Sequence, residues 1–310
     1  MKSKSFTLIE LLVIIVIIGI LAGVIMISTS SSITKANITK SKVFEGSVEN
    51  NLAANMVSRW KLDEVTGTAI PYKTPDQWGN NIGTLGDGTC MQGAGACPTL
   101  VLGSSNQCVS DNCMSFDGGD YINIAHNSSI KPTDKIVVSA WANFNSWSSA
   151  PESRLLSCTE AGGYNISSLG AASSVNMYIN GSYRSVQFYN TAPSSGWHFF
   201  TTTFDGRYLK TYFDGLYKNQ YDALANYSIY YNISNSLIIG AEAGGGSTPP
   251  ASPDNFPIQG KIDDVRIYDG VLSAFQIKQN YIAGLDSLLS NGNIYKEEYN
   301  ERIKVLAYEK

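Results

Sequence analysis

The chain has 310 residues, of which 43% are hydrophobic and 15% are charged, and its formal net charge is −4. This balance provides no extended basic surface, so it argues against a nucleic-acid-binding protein. The 18 tyrosines and 28 glycines, with many Ser, Thr and Asn residues, are typical of an exported β-rich domain with tight turns.

The first predicted element is an apolar segment over residues 6–27 (FTLIELLVIIVIIGILAGVIMI), in which Glu10 is the one charged residue. As a helix it would span roughly 33 Å, against about 30 Å of bilayer hydrocarbon. Lys2 and Lys4 precede the segment, and the positive-inside rule therefore keeps the amino terminus in the cytoplasm and exports the rest. We expect one transmembrane helix here.

The residues from Ser5 to Glu10 resemble the processing site of a type IV prepilin. The resemblance implies that residues 1–5 are a leader, that a prepilin peptidase cuts before Phe6, and that the new amino group of Phe6 is methylated. It also implies that Glu10 pairs with the Phe6 amino group of a neighbouring subunit during assembly. The family usually has Gly where this chain has Ser5. The alternative is an ordinary anchor helix whose Glu10 reaches the lipid headgroups.

After the membrane segment, apolar residues recur every four positions at Phe44, Val48, Leu52 and Met56. This spacing predicts that the helix continues to residue 56 with one apolar stripe. In pilins, which the prepilin site resembles, this half of the helix packs on a globular head. A juxtamembrane stalk would have a similar composition.

The five cysteines fit an oxidising compartment outside the cytoplasm. The shortest loops close at the least entropic cost, which predicts disulfides Cys90–Cys97 and Cys108–Cys113 and leaves Cys158 reduced and buried. No spacing is C-x-x-C, so a zinc ribbon or a thioredoxin-type redox site is not expected.

From residue 57 to 270 the pattern changes to short alternating stretches separated by Asp-Gly turns, which predicts a β-sandwich. Six motifs in this region resemble, in their order, the concanavalin A-like laminin-G family. They are WKLDEVTGT (60–68), SFDGGDYINI (115–124), VSAW (138–141), WHFFTTTFDG (197–206), YFDG (212–215) and GKIDDVRIY (260–268). The resemblance implies a jelly-roll sandwich with adjacent first and last strands, in a family whose members bind glycans or proteins.

We do not expect catalysis from this domain. Retaining sugar hydrolysis requires two carboxylates about 5–5.5 Å apart, and on this fold both usually come from one strand with alternating acidic residues. The adjacent acids Asp63 and Glu64, like Asp263 and Asp264, are predicted to face opposite sides of their strands. His198 is predicted to be a packed residue in an apolar strand.

A structural Ca²⁺ is the one cofactor to consider, because concanavalin A-like domains often hold one between their first and last strands. By position, the candidate ligands are the carboxylates of Asp63 and Asp264 and the carbonyl of Gly67. The alternative is an ion pair between Asp264 and Arg266, which needs no metal.

The aromatic residues divide into two predicted groups. Trp60, Trp141 and Trp197 fall in predicted strands and are expected in the core. The candidates for exposed, sugar-binding platforms are Trp147, Tyr183 and Tyr217.

The predicted fold is mainly β. A long N-terminal helix (6–56) precedes a concanavalin A-like jelly-roll sandwich (57–270) and a C-terminal helical extension (271–310). In that extension, Asn293 is expected to cap the last helix.

This organisation favours a type IV pilin-like structural subunit of a cell-surface filament. Its head would serve adhesion or bind a carbohydrate or protein, and its partners would be the prepilin peptidase and other pilin subunits. The precursor would cross the inner membrane once before it joins the extracellular filament. A pseudopilin of a type II secretion system and a membrane-tethered lectin-like protein that does not assemble are the alternatives.

Overall fold

The computed structural model describes residues 39–67, 70–91, 95, 97–146, 152–159, 162–169, 171–231, 235–242 and 256–308, together with positions 12, 15, 16 and 36. The predicted sites Ser5, Phe6, Glu10 and Trp147 lie outside these residues. The predicted span over residues 6–27 also lies outside them, apart from three helical positions, Leu12, Ile15 and Val16. Within the described residues, no helix is both long and apolar enough to cross a membrane.

Helix α1 covers residues 39–52 and ends in a 3₁₀ turn, Ala53–Asn55. The strands of the described residues follow in chain order. They are β1 (Met56–Trp60), β2 (Lys73–Thr74), β3 (Gly83–Leu85), β4 (Thr99–Val101), β5 (Cys113–Asp117), β6 (Ile122–Ile124), β7 (Ile136–Phe144), β8 (Ser153–Ser157), β9 (Tyr164–Leu169), β10 (Ala172–Ile179), β11 (Ser182–Tyr189), β12 (His198–Phe204), β13 (Tyr208–Phe213), β14 (Leu216–Asp222), β15 (Leu237–Ile239) and β16 (Gln259–Tyr268). Helices α2 (Ala274–Ser290) and α3 (Lys296–Tyr308) close the described chain.

The strands form two antiparallel sheets, which we call sheet A and sheet B. Sheet A has the order β14-β13-β12-β7-β16-β5-β4, and β1 also pairs with β16. Sheet B has the order β11-β10-β9-β8-β15-β6-β3-β2. The first and last strands, β1 and β16, are antiparallel neighbours, with Trp60 opposite Val265. This arrangement confirms the mainly β sandwich and the predicted adjacency of its terminal strands.

The core lies between the sheets because one face of each strand is apolar. In β10 the side chains of Val175, Met177 and Ile179 are buried, while the intervening Asn176 is only partly covered. Trp60 and Phe200 reach the same core from sheet A. Alternation of this kind buries one face of a strand and leaves the other for polar residues.

The opposite face of sheet A is covered by the three helices. The predicted stripe of α1 is confirmed at Val48 and Leu52, which are buried against α2 and sheet A, with Phe44 partly buried beside them. The predicted end of the helix at residue 56 is wrong, because the helix gives way to the 3₁₀ turn after residue 52, and the buried Met56 begins β1. Among the described helices, none lies over the outward face of sheet B.

Helix α2 lies very close to sheet A. A Cβ atom at Gly284 would stand 2.4 Å from the ring of Trp141, so only glycine permits this approach. Trp141 and Trp197 are buried in the apolar cluster between sheet A and the C-terminal helices. Trp60 is buried in the core between the two sheets, so the prediction is confirmed for all three residues.

The C-terminal extension is helical as predicted. Helix α2 begins with a capping box formed by Ser273 and Gln276. The expected cap of α3 is wrong, because that helix begins at Lys296, and the side-chain amide of Asn293 instead donates to the carbonyl of Cys108 at 2.7 Å.

Candidate functional site

The predicted metal ligand Asp264 is part of a buried ion network. It lies at a β-bulge in β16 and has a φ of 48°, in the left-handed region. Its carboxylate accepts hydrogen bonds from Arg266 and, at 2.7 Å, from Arg59 Nε. Burial alone would raise the pKa of Asp264, but the guanidinium groups of Arg266 and Arg59 hold it well below its ordinary value. The predicted pairing of Asp264 with Arg266 is therefore confirmed.

The same network joins four elements, β1, β16, α1 and α2. Arg59 in β1 also binds two glutamates of α1, Glu45 at 2.9 Å and Glu49 at 2.6 Å. Arg266 donates to Asn280 of α2 at 2.9 Å. These contacts fix the helix that leads to the amino terminus against the sandwich.

The other two predicted calcium ligands have structural roles. Asp63 accepts a hydrogen bond from the backbone N–H of Asn112 at 2.8 Å, and burial raises its pKa to about 6. Gly67 has a φ of 102° in the turn before β2. Among the described residues, no group of three or more His, Cys, Asp or Glu side chains is arranged to hold a metal ion. The structure thus gives Asp63, Gly67 and Asp264 separate roles.

Asp263 has a role that the sequence did not reveal. Its side chain is fully buried, its Oδ2 accepts from the backbone N–H groups of Val109 at 2.9 Å and Ser110 at 3.3 Å, and its Oδ1 has no partner among the described residues. Burial, together with the charges of Asp63 and Asp264, holds its pKa well above the ordinary value. Asp263 therefore anchors the cysteine-rich segment to β16, and Asp63 anchors the same segment to the residues that follow β1.

The disulfides are those predicted from loop length. Cys90 pairs with Cys97 and Cys108 pairs with Cys113, with Cα–Cα distances of 5.7 and 5.4 Å. Cys158 is free and buried, and burial raises its pKa to about 12, so its thiol is inert at neutral pH.

His198 is a packed residue, as predicted. Its Nδ1 lies 2.6 Å from Asp214 Oδ2, its Nε2 lies 2.9 Å from the carbonyl of Ser194, and its ring stacks on Phe213. Because both ring nitrogens are occupied and the side chain is buried, His198 is not placed to act on a ligand.

The outward face of sheet B carries a row of small polar side chains. Asn165 of β9 is opposite Asn176 of β10, which is opposite Ser185 of β11. Asn176 Nδ2 donates to Asn165 Oδ1 at 2.9 Å and to Ser167 Oγ at 3.2 Å. Amides and hydroxyls held in a flat array are suited to binding hydroxyl-rich molecules.

A cleft of about 440 Å³ opens on this face, and we call it the sheet B cleft. Its described lining is Glu152, Arg154, Thr159, Asn165, Asn176, Tyr183 and Glu242. The residues come from five neighbouring strands, β11, β10, β9, β8 and β15, or from segments next to them. The volume lies within the range of small-molecule sites.

Tyr183 forms one wall of the sheet B cleft. The residue is 43% exposed, as predicted. Its hydroxyl is fixed because it donates to the carbonyl of Gly162 at 2.8 Å and accepts from the Gly162 N–H at 3.0 Å. Tyr217 is also exposed, at 48%, but it lies in β14 at the edge of sheet A. Of the predicted platforms in the described chain, Tyr183 alone lines this cleft.

A second cleft of about 250 Å³ lies between α1, the cysteine-rich segment and α2. Apart from Lys61, its charged side chains already pair with one another or with Arg59. Lys42 binds Asp111 at 3.0 Å, and Glu45 and Glu49 bind Arg59. We therefore take the sheet B cleft as the candidate binding site.

The sequence predicted Tyr183 but missed Glu152, Arg154, Thr159, Asn165, Asn176 and Glu242. One signal was available for part of the set. In β9 and β10 the polar residues alternate with apolar ones, which marks a polar outward face. Glu242 lies far from Glu152 and Arg154 in the sequence, and only the strand order brings it beside them.

Comparison with known proteins identifies two parts of the chain. Residues 116–278 match the family model of the concanavalin A-like lectin/glucanases superfamily, and residues 1–26 match the prokaryotic N-terminal methylation motif. No curated protein matches the chain.

Binding domains of bacterial toxins are among the solved structures with a similar fold. The binding domain of Paraclostridial mosquitocidal protein 1 is 15% identical, with a TM-score of 0.54 over 76% of this chain and 53% of its own. The receptor binding domain of botulinum neurotoxin D is 16% identical, with a TM-score of 0.53 over 76% and 54%. That of type G is 15% identical, with a TM-score of 0.51 over 74% and 51%.

The matched region spans about half the length of these toxin domains, and identities this low establish a shared fold alone. The family match covers most of the sandwich, and the methylation motif covers the start of the chain. The chain therefore belongs to the concanavalin A-like lectin/glucanases superfamily and carries a prokaryotic N-terminal methylation motif, as in type IV pilin-like proteins.

Proposed function

We propose that this protein is a structural subunit of a type IV pilin-like surface filament and that its sandwich is a glycan-binding head. The precursor crosses the inner membrane once, with its amino terminus inside. A prepilin peptidase removes residues 1–5 and methylates Phe6, and Glu10 then pairs with the amino terminus of a neighbouring subunit.

The observation that carries this proposal is the packing of α1 against the head. The helix that follows the methylation motif packs its apolar stripe on sheet A and α2, and its glutamates bind Arg59 inside the domain. A flexible tether would leave the head free to rotate relative to the membrane. A helix built into the domain instead sets the position of each head in an assembly.

We further propose that the head binds and does not hydrolyse its ligand. The two carboxylates of the sheet B cleft, Glu152 and Glu242, both contact Arg154. Retaining hydrolysis needs one carboxyl group as acid and a second as nucleophile, and both glutamates are committed to ion pairs here. The toxin domains that share the fold are named binding domains or receptor binding domains, which is consistent with recognition as the use of this sandwich.

Filaments purified from the native cell provide the first test. Mass spectrometry of the N-terminal peptide should find methylated Phe6. An intact Met1, or a cut beyond Ala22, would refute processing and return the protein to the membrane-anchored class.

Assembly is tested separately with Glu10→Ala. We expect normal membrane insertion, since a carboxylate has been removed from the apolar segment, but a loss of the chain from filaments. Glu297→Ala, an exposed change in α3, is the matched control and should assemble normally. Equal filament content for the two variants would contradict the assembly role of Glu10.

A further inference from the structure

Arg154 is the one cation among the described residues that line the sheet B cleft, and its charge is already neutralised. Its Nη1 donates to Glu152 Oε1 at 2.7 Å, and its Nε lies 3.5 Å from Glu242 Oε1. Its guanidinium also lies over the ring of Phe256, 4.4 Å from the ring centroid. The Nη1 and Nε sides of the guanidinium therefore face glutamates, so a carboxylate on a ligand would approach it close to two negative charges.

Glu242 is held in position by a second set of contacts. Thr159 Oγ1 donates to Glu242 Oε1 at 3.0 Å, and Ser157 Oγ lies 2.6 Å from Thr159 Oγ1. With two glutamates and one arginine, the described lining carries a formal charge of −1. An ionised carboxylate only accepts hydrogen bonds, so the remaining oxygens of Glu152 and Glu242 are suited to donors such as sugar hydroxyls.

The floor and wall of the cleft fit an uncharged sugar. The hydrogen bond from Asn176 Nδ2 to Asn165 Oδ1 uses the NH₂ group of Asn176 and the side-chain carbonyl of Asn165. The amino group of Asn165 and the carbonyl of Asn176 remain for a ligand, as a donor beside an acceptor. Hydroxyls on neighbouring carbons match such a pair because each hydroxyl both donates and accepts. The fixed, exposed ring of Tyr183 offers an apolar surface to the C–H face of a sugar.

We infer that the sheet B cleft selects neutral glycans and rejects acidic ones, and that Glu152 and Glu242 set this selectivity by neutralising Arg154. The inference rests on the proposed glycan-binding function and adds to it the charge class of the ligand. An acidic sugar would place its carboxylate beside two glutamates, and like charges brought together at a binding site are strongly unfavourable.

The test measures binding of the full-length protein in detergent to two immobilised panels. The neutral panel contains lactose, cellotriose and chitotriose, and the acidic panel contains 3′-sialyllactose and trigalacturonic acid. We expect the Kd for at least one neutral probe to be at least about tenfold lower than the Kd for any acidic probe. Tyr183→Ala should abolish this binding, whereas Tyr217→Ala, a change of equal size on sheet A, should not.

The variants Glu152→Gln and Glu242→Gln test the mechanism. Each keeps the shape of the side chain and removes one negative charge, so each should raise acidic-probe binding relative to neutral-probe binding. Glu297→Gln on α3 is the control. Glu152 is partly exposed, so its variant should fold even if Glu242→Gln does not.

The outcomes separate the two levels of the proposal. Equal or tighter wild-type binding to the acidic panel would overturn the selectivity and leave glycan binding intact. An unchanged ratio in both glutamine variants would overturn the role of the glutamates. Failure to bind either panel would overturn the glycan-binding function itself, and this inference with it.

Discussion

Replacing Asp264 by asparagine removes the central negative charge of the buried network. Two guanidinium groups, those of Arg59 and Arg266, would then face each other with their shared carboxylate gone. Removing one partner of a buried ion pair costs about 3–5 kcal/mol, because an uncompensated charge stays in the interior. The backbone does not complicate this test, since asparagine tolerates the left-handed φ of position 264 well.

The assay is denaturant unfolding of the full chain in detergent, with tryptophan fluorescence as the signal that monitors unfolding. Asp222→Asn is the matched control. Asp222 binds Arg207 through two hydrogen bonds of 2.8 and 2.9 Å, but that pair lies at the surface, where ion pairs contribute little. We expect Asp264→Asn to lower the free energy of unfolding far more than Asp222→Asn. A loss below about 1 kcal/mol for Asp264→Asn would refute the view that burial gives the network its strength.

Two further predictions concern packing and pH. Gly284→Ala should lower the free energy of unfolding by about 1–3 kcal/mol, because the added methyl group would overlap Trp141. The control is Gly46→Ala in α1, which has open space around it and should raise the free energy of unfolding by about 0.5–1 kcal/mol. Equal effects of the two changes in thermal melting would contradict the close approach of α2 to sheet A. Asp63 has a pKa of about 6 in the folded protein against an ordinary value near 4, so its contribution to stability is complete below about pH 4 and is lost as the pH rises through 6. In melting series from pH 4 to pH 7, Asp63→Asn should therefore gain stability relative to the wild type as the pH rises, and parallel curves would show that Asp63 does not titrate in this way.

Local patterns were sufficient for much of the fold. The four-residue spacing predicted the buried stripe of α1, and loop length predicted both disulfides. Gly284 lies inside the continuous helix α2, where local helix propensity disfavours glycine. The contact between Gly284 and Trp141 explains the glycine, and that contact is tertiary.

The candidate site was less accessible to prediction. Arg154 and Glu242 are far apart in the chain and meet because β8 and β15 are neighbours in sheet B. The bulge at Asp264 could not be predicted either, because an aspartate in a strand-like sequence does not indicate a positive φ. The calcium hypothesis rested on the position of Asp264 in the sequence. The sequence did not show that two arginines bind the Asp264 carboxylate.

The position of α1 determines how the head bears mechanical load. Ser41 contacts Ser287 near the end of α2, whereas Leu52 packs with Leu272 and Ile277 near its start, so the two helices run in opposite directions. A pull on the amino terminus along α1 therefore acts in shear and strains the apolar stripe and the Arg59 ion pairs at the same time. Contacts loaded together resist more force than contacts peeled one by one, so in the proposed filament α1 would hold the head firmly under tension.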